Sequence, residues 1–269
     1  MNQPIQAILS AACFAAEKHA HQKRKGKAAE PYINHLIEVA ELLANSSANL
    51  DTNLVVAGFL HDTIEDAKVP KAELAERFGD DVADLVAEVS DDQTLESAER
   101  KRLQIENAPK KSVRAQALGT ADKISNLRSI LSSPPLDWNF QRQREYFDWA
   151  KQVVDGYPAV NERLKREFEK VYGAFQAFVR LKSRNIEEDT RVLSERQIFV
   201  SGIPILLERW SADGVRGSTA VLLPEHVAGM DDSAIRNFLK ERAGLDLSGG
   251  VTITRRETHV FVNYSFEAK

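Results

Sequence analysis

The octapeptide Phe59-Leu60-His61-Asp62-Thr63-Ile64-Glu65-Asp66 decides how this chain is interpreted. It ends an apolar stretch that is typical of a buried helix. His61 and Asp62 are adjacent side chains that both bind divalent metals, and Glu65 and Asp66 follow about one helical turn later. A carboxylate in that position can hold a water against a bound metal. The octapeptide therefore predicts half of a metal site together with its acid or base.

A His-Asp pair alone is weak evidence, because such pairs arise by chance and an exposed helix end tolerates both residues. Further ligands are therefore required. His35, 26 residues before His61, begins an amphipathic run, and Asp122 lies 60 residues after Asp62. The four residues give two imidazoles and two carboxylates on three separate helices. This mixed set suits Mn²⁺, Fe²⁺ or another octahedral divalent ion better than it suits structural zinc.

Five motifs occur in a fixed order over roughly the first 180 residues. They are Pro31-Tyr32-Ile33-Asn34-His35, His61-Asp62-Thr63-Ile64-Glu65-Asp66, Phe78-Gly79-Asp80-Asp81-Val82, Glu99-Arg100-Lys101-Arg102-Leu103-Gln104 and Ala121-Asp122-Lys123-Ile124-Ser125-Asn126-Leu127-Arg128. In this order and approximate spacing the chain resembles the small alarmone hydrolases, HD-type phosphohydrolases related to the hydrolase half of the Rel/Spo enzymes. The resemblance implies Mn²⁺-dependent removal of the 3′-diphosphate from guanosine tetra- and pentaphosphate.

The acidic pair of the octapeptide supplies the catalytic groups in this interpretation. A divalent ion held by the four ligands would polarise the diphosphate and lower the pKa of its bound water. Glu65 would orient or deprotonate that water, and Asp66 would support it by hydrogen bonding. The products would be a nucleoside 5′-diphosphate or 5′-triphosphate and pyrophosphate.

A basic run precedes the first metal-ligand helix. Residues 21–27 read His-Gln-Lys-Arg-Lys-Gly-Lys, with four positive charges in five residues. Such a run is often only a solvated loop, but a polyphosphate substrate and the bidentate fork of arginine favour a binding role here. By the resemblance, Arg24 and Lys25 contact the substrate, and Asn126 and Tyr146 lie near the nucleoside. An ordinary packing role for Tyr146 stays open, because aromatic residues surround it in sequence.

One segment departs from the pattern of the family. Relatives often carry lysine near the substrate after the Phe78-Gly79 motif, whereas residues 90–98 here read Ser-Asp-Asp-Gln-Thr-Leu-Glu-Ser-Ala. The metal ligands are untouched by this difference. It leaves open whether guanine or adenine, and tetraphosphate or pentaphosphate, is preferred.

Composition sets bounds on the class of protein. A chain of 269 residues with 43% apolar content can form one large domain and a smaller one. A net charge of −4 argues against general nucleic-acid binding, and no apolar run approaches the length of a membrane span.

Cys13 is the single cysteine, which fits a reducing compartment, so we expect a cytoplasmic protein. The apolar spacing after Pro4 predicts a first helix rather than a signal peptide.

The expected fold is mainly α, an HD-domain helical bundle over residues 1–184 followed by a small α+β domain over 191–269. Proline, glycine and apolar periodicity predict nine helices, near residues 4–20, 32–45, 52–63, 70–78, 80–89, 96–107, 112–131, 138–155 and 159–182. A polar linker is expected at 184–189. Beyond it, β-branched and aromatic runs predict strands at 197–200, 220–223, 251–254 and 260–266, with one helix at 231–243.

The C-terminal domain carries no predicted catalytic group. Residues 191–269 contain ten acidic and ten basic side chains, a balance that makes a nucleic-acid role improbable. His226 and His259 lack acidic or cysteine partners at ligand spacing, so each is interpreted as structural. We expect this domain to support assembly or regulation, through a sheet edge that pairs with a second copy or a protein partner.

Two other functions stay open at this stage. A nucleotidase or phosphodiesterase acting on different nucleotides would use the same metal site. A nucleotide-sensing binding protein would hold its ligand without turnover, although the complete set of metal ligands and acidic groups argues against that role.

Overall fold

A computed structural model describes residues 3–26, 28–182, 191–212, 215–247 and 251–264. The chain forms two compact units, Met1–Tyr172 and Gly173–Lys269. The expected linker at 184–189 and Lys27 of the basic run lie outside the described residues. The boundary between the units falls inside the last helix of the helical region.

Helices make up the first unit, as the sequence predicts. They are α1 (Gln3–Lys18), α2 (Ile33–Ala44), α3 (Thr52–Leu60), α4 (Lys71–Phe78), α5 (Asp80–Val89), α6 (Ser97–Asn107), α7 (Val113–Ser132), α8 (Phe140–Asp155) and the first half of α9 (Glu162–Lys182). A short 3₁₀ turn, Ala108–Lys110, follows α6. Across the described ranges, no helix is both long and apolar enough to cross a bilayer. The expectation of a mainly α fold is confirmed.

Helix α3 lies at the centre of this unit. Every residue from Leu54 to Leu60 is buried, and the helix packs against α1, α2, α5 and α7. The side chain of Asp51 caps it by accepting a hydrogen bond from the Leu54 N–H at 3.0 Å. A helix that is apolar all round has no solvated face to orient it, so its neighbours fix its position.

The helix ends at Leu60, three residues earlier than the sequence predicts. Residues 61–67 form consecutive turns instead, in which the Asp66 N–H donates to the Asp62 carbonyl at 2.8 Å. A continuous helix would place Glu65 and Asp66 at a fixed helical spacing from His61. The turn instead allows these two carboxylates to point to different parts of the site.

Helices α2 and α3 cross at Gly58 with almost no space between them. A Cβ atom on Gly58 would lie 2.9 Å from Cδ1 of Leu43 and 3.1 Å from Cα of Ala40. A side chain at position 58 would force the Leu43 side chain to shift and the backbone at Ala40 to give by a few tenths of an ångström, and glycine avoids both. The crossing sets the separation between the start of α2, which carries His35, and the end of α3, which leads into His61.

The second unit contains a five-stranded antiparallel sheet in the order β1-β2-β3-β5-β4. Its strands are β1 (Arg191–Val200), β2 (Ile203–Ala212), β3 (Val215–Leu222), β4 (Val251–Arg255) and β5 (Val260–Tyr264). One helix, α10 (Asp232–Glu241), packs Ile235 and Leu239 against the sheet. The second half of α9 belongs to the same unit, where the Phe178 ring meets Phe199 edge to face at 4.9 Å.

Strand β2 was missed by the sequence analysis. It contains Pro204 and the charged pair Glu208 and Arg209, which interrupt the apolar pattern of a strand. In the sheet, β2 nevertheless pairs with β1 on one side and β3 on the other. Tertiary pairing therefore overrides a weak local preference.

We predict that Gly58→Ala separates α2 from α3. The added methyl group should lower the free energy of unfolding by roughly 1–3 kcal/mol, and it should weaken divalent-metal binding because His35 and His61 move apart. Urea unfolding in chelator and calorimetric metal titration measure the two effects. The matched control is Gly173→Ala in α9, where a Cβ atom meets nothing within 4 Å. That substitution should keep metal binding and stabilise by up to about 1 kcal/mol. Equal effects of the two substitutions would contradict the role of the crossing.

Candidate metal centre and active site

Four side chains from three helical segments meet in the first unit. His35 is the third residue of α2, His61 and Asp62 follow α3, and Asp122 lies in the middle of α7. One ligand atom from each of His35, His61 and Asp62 falls within 4.8 Å of the others. Oδ1 of Asp122 is 3.3 Å from Nε2 of His35 and 3.7 Å from Nε2 of His61. All four predicted ligand residues are thus brought together.

Hydrogen bonds fix the tautomers of both histidines. Nδ1 of His61 lies 2.9 Å from the Gly58 carbonyl, which can only accept, so this nitrogen carries the proton. Nδ1 of His35 lies 2.8 Å from Oγ of Ser125, whose own hydroxyl donates to Glu38 at 2.6 Å. This arrangement leaves Nε2 of each ring as the nitrogen available to a metal. Both Nε2 atoms are buried and without a hydrogen-bond partner, as ligand nitrogens for a metal should be.

The two aspartates are ionised and oriented. Burial alone would raise the pKa of Asp62, but the neighbouring His61 and His35 lower it well below its usual range. Burial likewise opposes ionisation of Asp122, and the adjacent Lys123 ammonium and the histidines lower its pKa well below the ordinary value. The Tyr32 hydroxyl donates to Oδ2 of Asp62 at 2.7 Å. Burial lowers the pKa of His61, but the Asp62 and Asp122 carboxylates outweigh burial and hold that pKa well above its ordinary value. A divalent cation at this point would replace that proton and would be held by two carboxylate oxygens and two neutral imidazoles.

Glu65 lies beside this centre and is held by two donors. Its carboxylate accepts hydrogen bonds from the Asp91 N–H and from Nε2 of Gln93, each at 2.6 Å. Burial, opposed by the Asp91 hydrogen bond and reinforced by the negative charge of Asp91, raises the pKa of Glu65 to about 7. A carboxylate with such a pKa can take a proton near neutral pH and release it again.

Asp66 points away from Glu65 and has a different neighbour. Its Oδ2 accepts a hydrogen bond from Nε2 of Gln22 at 2.6 Å, and Oε1 of Gln22 lies 2.6 Å from Nδ1 of the buried His19. The His19 ring stacks on Tyr32 with centroids 5.2 Å apart. One buried histidine therefore supports both the Asp66 carboxylate, through Gln22, and the tyrosine that holds Asp62.

Two cavities adjoin at this site. The first, here called the metal cavity, has a volume of about 390 Å³ and is lined by His61, Asp62, Glu65, Asp122 and Lys123, among others. The second, the loop cavity, has a volume of about 320 Å³ and is lined by residues 22–26, Asp66 and Trp138 among others. Tyr32, Asn126 and Tyr146 line both. A ligand with two dissimilar parts can therefore occupy the two cavities at once.

The described part of the basic run forms an ordered wall of the loop cavity. Backbone bridges join Lys23 to Pro31 and Gly26 to Pro135. A Cβ atom on Gly26 would lie 2.0 Å from the Ser133 carbonyl, so only glycine permits this approach. Arg24 and Lys25 are held in a fixed loop at the cavity rather than on a free surface.

Asn126 connects the basic run to the metal centre. Its Oδ1 accepts a hydrogen bond from Nη2 of Arg24 at 2.8 Å, and its Nδ2 donates to Oδ1 of Asp122 at 2.6 Å. The guanidinium of Arg24 also lies over the Tyr32 ring at 5.6 Å. The charge of Arg24 is therefore held close to the point where the two cavities meet.

Tyr146, on α8, belongs to an aromatic cluster. Its ring lies 5.3 Å from Trp138 and 5.0 Å from Trp149, and burial raises the pKa of its hydroxyl to about 12. The ring also lines both cavities. Packing against the tryptophans and contact with a ligand are thus compatible at this residue.

The sequence analysis did not single out the residues that hold the ligands in place. Tyr32, Ser125, Glu38 and Gln22 support metal ligands or Asp66, and Lys123 contacts Asp122. Some signal was present, because Tyr32 and Ser125 lie inside the motifs that carry His35 and Asp122. Their hydrogen bonds cross between helices, and no sequence spacing specifies such bonds.

The geometry agrees with the comparisons to known proteins. Residues 11–146 match the family model described as an HD domain. The chain is 43% identical over 172 residues to guanosine-3′,5′-bis(diphosphate) 3′-pyrophosphohydrolase MESH1 of Xenopus tropicalis, which covers 64% of this chain and 96% of the relative. The human protein of the same name is 42% identical with the same coverage.

Two further matches link the chain to the larger enzymes and to a solved structure. The guanosine-3′,5′-bis(diphosphate) 3′-pyrophosphohydrolase of Aquifex aeolicus is 32% identical over 209 residues, which cover 28% of that longer protein. A solved structure, described as a metazoan orthologue of SpoT that hydrolyses ppGpp, is similar with a TM-score of 0.60 and 40% identity. It covers 62% of this chain and 94% of its own.

A helical bundle that gathers His35, His61, Asp62 and Asp122 around one point defines a metal phosphohydrolase of the HD class. The chain belongs to the HD-domain family, and within it to the small alarmone hydrolases related to the Rel/Spo enzymes.

We predict that the Tyr32 hydroxyl contributes to metal affinity through Asp62. Tyr32→Phe removes only this oxygen and should weaken divalent-metal binding about ten-fold, because outer hydrogen bonds orient the ligands. Asp62→Ala, which removes a ligand, should abolish stoichiometric binding. Calorimetric titration of the chelator-treated protein measures both. Tyr172→Phe is the control, since its hydroxyl bonds to Asp148 away from the centre at 3.2 Å. Wild-type affinity in Tyr32→Phe would refute the role of this hydrogen bond.

Proposed function

We propose that this protein is a metal-dependent alarmone hydrolase. It removes the 3′-diphosphate of guanosine tetra- or pentaphosphate, or of a related purine alarmone, and releases pyrophosphate and the nucleoside 5′-di- or triphosphate. The observation that carries the proposal is the cluster of His35, His61, Asp62 and Asp122, of which the last three line one cavity together with Glu65, beside a basic loop. Relatives with this catalytic name match the chain over almost their whole length.

We assign the metal to His35, His61, Asp62 and Asp122, and we expect Mn²⁺. The support is chemical, since mixed imidazole and carboxylate ligands without sulfur suit an octahedral divalent ion. When bound, such a cation supplies Lewis acidity toward phosphate oxygens and water. Activity with a panel of divalent ions distinguishes Mn²⁺ from the other candidates.

Glu65 is the proposed general base. Its carboxylate lines the metal cavity, is held by Asp91 and Gln93, and has a pKa matched to neutral pH. It takes a proton from the water whose oxygen forms a bond to the phosphorus attached to the 3′ oxygen. The bond between that phosphorus and the 3′ oxygen breaks, and the 3′ oxygen leaves with the bonding electrons and acquires a proton. Asp66 supports the turn from the opposite side through its bond to Gln22.

The two cavities suggest how the substrate is divided. The reacting 3′-diphosphate belongs in the metal cavity, beside the ligands and Glu65. The nucleoside and its 5′-phosphates belong in the loop cavity, where Arg24 and Lys25 supply positive charge and Tyr146 supplies an aromatic face. Asn126, bonded to both Arg24 and Asp122, lies at the junction between them.

The remaining expectations also belong to the proposal. We propose a cytoplasmic protein, in keeping with its single cysteine, Cys13. We propose that the sheet of the second unit serves assembly or regulation, through a second copy or a protein partner, because its edge strands β1 and β4 offer backbone hydrogen-bonding groups.

The test is pyrophosphate release from purified protein loaded with Mn²⁺, with guanosine and adenosine alarmones and ordinary nucleotides as substrates. We predict release from an alarmone, loss of both metal and activity in Asp62→Ala, and retained metal with about hundred-fold slower turnover in Glu65→Gln. Turnover only of other nucleotides would favour a different HD-type phosphohydrolase. Tight alarmone binding without turnover by the loaded wild-type protein would instead favour a sensor.

The pH dependence tests the role of Glu65 separately. A general base acts in its ionised form. The value of kcat should therefore rise with pH up to a break near the pKa of Glu65, about 7, and stay constant above it. Positive charge held at the centre favours the carboxylate and moves this break to lower pH. Rates measured at saturating metal from about pH 5 to 8 reveal the break, which should be missing in the residual activity of Glu65→Gln. A flat wild-type profile over that range would exclude Glu65 as the base.

A further inference from the structure

Lys123 is a buried lysine beside the metal centre. It follows Asp122 on α7, its side chain is only 7% exposed, and it nevertheless lines the metal cavity. Lysine is rarely buried to this degree unless its charge has a function or a partner. Its ammonium lies 3.0 Å from the Asp122 carboxylate, a contact that compensates for burying the charge.

The partners of Lys123 leave part of its ammonium group available. Nζ donates to Oδ2 of Asp122 at 3.0 Å and lies 4.8 Å from the centre of the Trp149 ring. Trp149 is itself fixed, because its Nε1–H donates to the Lys101 carbonyl at 3.1 Å. An ammonium group has three N–H donors. Within the described residues, Asp122 is the one hydrogen-bond acceptor of Lys123, so at least one donor remains for a ligand in the cavity.

Asp122 keeps Lys123 separate from the metal-facing side of the site. Oδ1 of Asp122 faces the two histidine nitrogens and accepts from Asn126, whereas Oδ2 faces Lys123. The carboxylate therefore lies between the cation site and the ammonium. Lys123 is adjacent to the reacting region without competing for the metal position.

The charges of the cavity favour a role with an anionic substrate. The lining includes the carboxylates of Asp62, Glu65, Asp91, Asp92 and Asp122, so a polyphosphate in this cavity needs positive charge in addition to the divalent cation. Lys123 supplies such a charge. The other basic residues that line this cavity, Arg100 and Lys111, donate to the Leu95 and Glu88 carbonyls. Lys123 is the basic residue of this lining that contacts a metal-ligand carboxylate. In a buried site such a charge acts strongly on charge that develops during the reaction.

We propose that Lys123 is a catalytic residue that donates a hydrogen bond to a non-bridging oxygen of the reacting diphosphate, an assignment that rests on the proposed function. Its charge offsets the negative charge that builds up on the non-bridging oxygens of the attacked phosphate as the water oxygen bonds to phosphorus and the bond to the 3′ oxygen breaks. Trp149 holds the ammonium in place for this contact. Because pyrophosphate is also the product, the same group retains it after the reaction.

The test compares Lys123→Met with the wild-type protein. Methionine keeps the apolar stem against Trp149 and removes the charge. We expect kcat to fall about hundred-fold, the size of effect that loss of one preorganised donor has in other enzymes. The dissociation constant for inorganic pyrophosphate, titrated into the Mn²⁺-loaded protein, should rise about ten-fold. Calorimetric Mn²⁺ affinity should be unchanged or tighter, because a positive charge near the cation has been removed.

Lys151→Met is the matched control. Lys151 also has a carboxylate partner, Asp155 at 2.6 Å, and an aromatic neighbour, Tyr172 at 5.8 Å, but it is not part of the cavity lining. This variant should match the wild type in all three measurements. If Lys123→Met does not fold, Lys123→Gln serves instead, since its amide can still donate to Asp122 while lacking the charge.

The outcomes separate the possible roles. Unchanged kcat and pyrophosphate affinity in the Lys123 variant would overturn the proposal. Mn²⁺ affinity that falls in step with activity would overturn it in favour of a purely positioning role through Asp122. If the wild-type protein hydrolyses no alarmone, the proposed function fails, and pyrophosphate binding by wild type and variant still decides whether Lys123 contacts the anion.

Discussion

The close crossing of α2 and α3 at Gly58 is the constraint on which the site depends. With Ala40 on the facing helix and no side chain at Gly58, the two backbones approach to near contact. His35, near the start of α2, and His61, just past the end of α3, lie together, with their rings 5.3 Å apart. The Gly58 carbonyl also accepts the His61 Nδ1 proton. One glycine thus sets both the spacing of the imidazoles and the tautomer of one of them.

Hydrogen bonds from neighbouring side chains hold the proposed metal ligands in place. Ser125 and Glu38 orient His35, and Tyr32 holds Asp62 while packing against His19. These hydrogen bonds order the ligand side chains before a metal binds, so less side-chain entropy is lost on binding. They also fix which ligand atoms face the metal. The arrangement also explains why Glu65 and Asp66, adjacent in sequence, act on different sides: the chain leaves the helix at Leu60 and turns between them.

Charge is distributed unevenly between the two cavities. The metal cavity is lined by Asp62, Glu65 and Asp122, with Lys123 among them, whereas the loop cavity is lined by the basic residues Lys23, Arg24 and Lys25. A chain with net charge −4 can therefore bind a polyanion where its positive side chains are locally concentrated. The segment that lacks lysine here, residues 90–98, instead supplies Asp91 and Gln93 as hydrogen-bond donors to Glu65.

The sequence by itself determined the helical class and the nine helix positions to within a few residues, and it singled out His35, His61, Asp62 and Asp122 as a proposed set of metal ligands. It could do so because apolar periodicity and metal-binding side chains are local properties. The tertiary structure alone decided the end of α3 at Leu60, the position of strand β2, and the partners Tyr32, Ser125 and Lys123. These depend on contacts between residues distant in sequence, and such contacts form only when the helices and strands have packed.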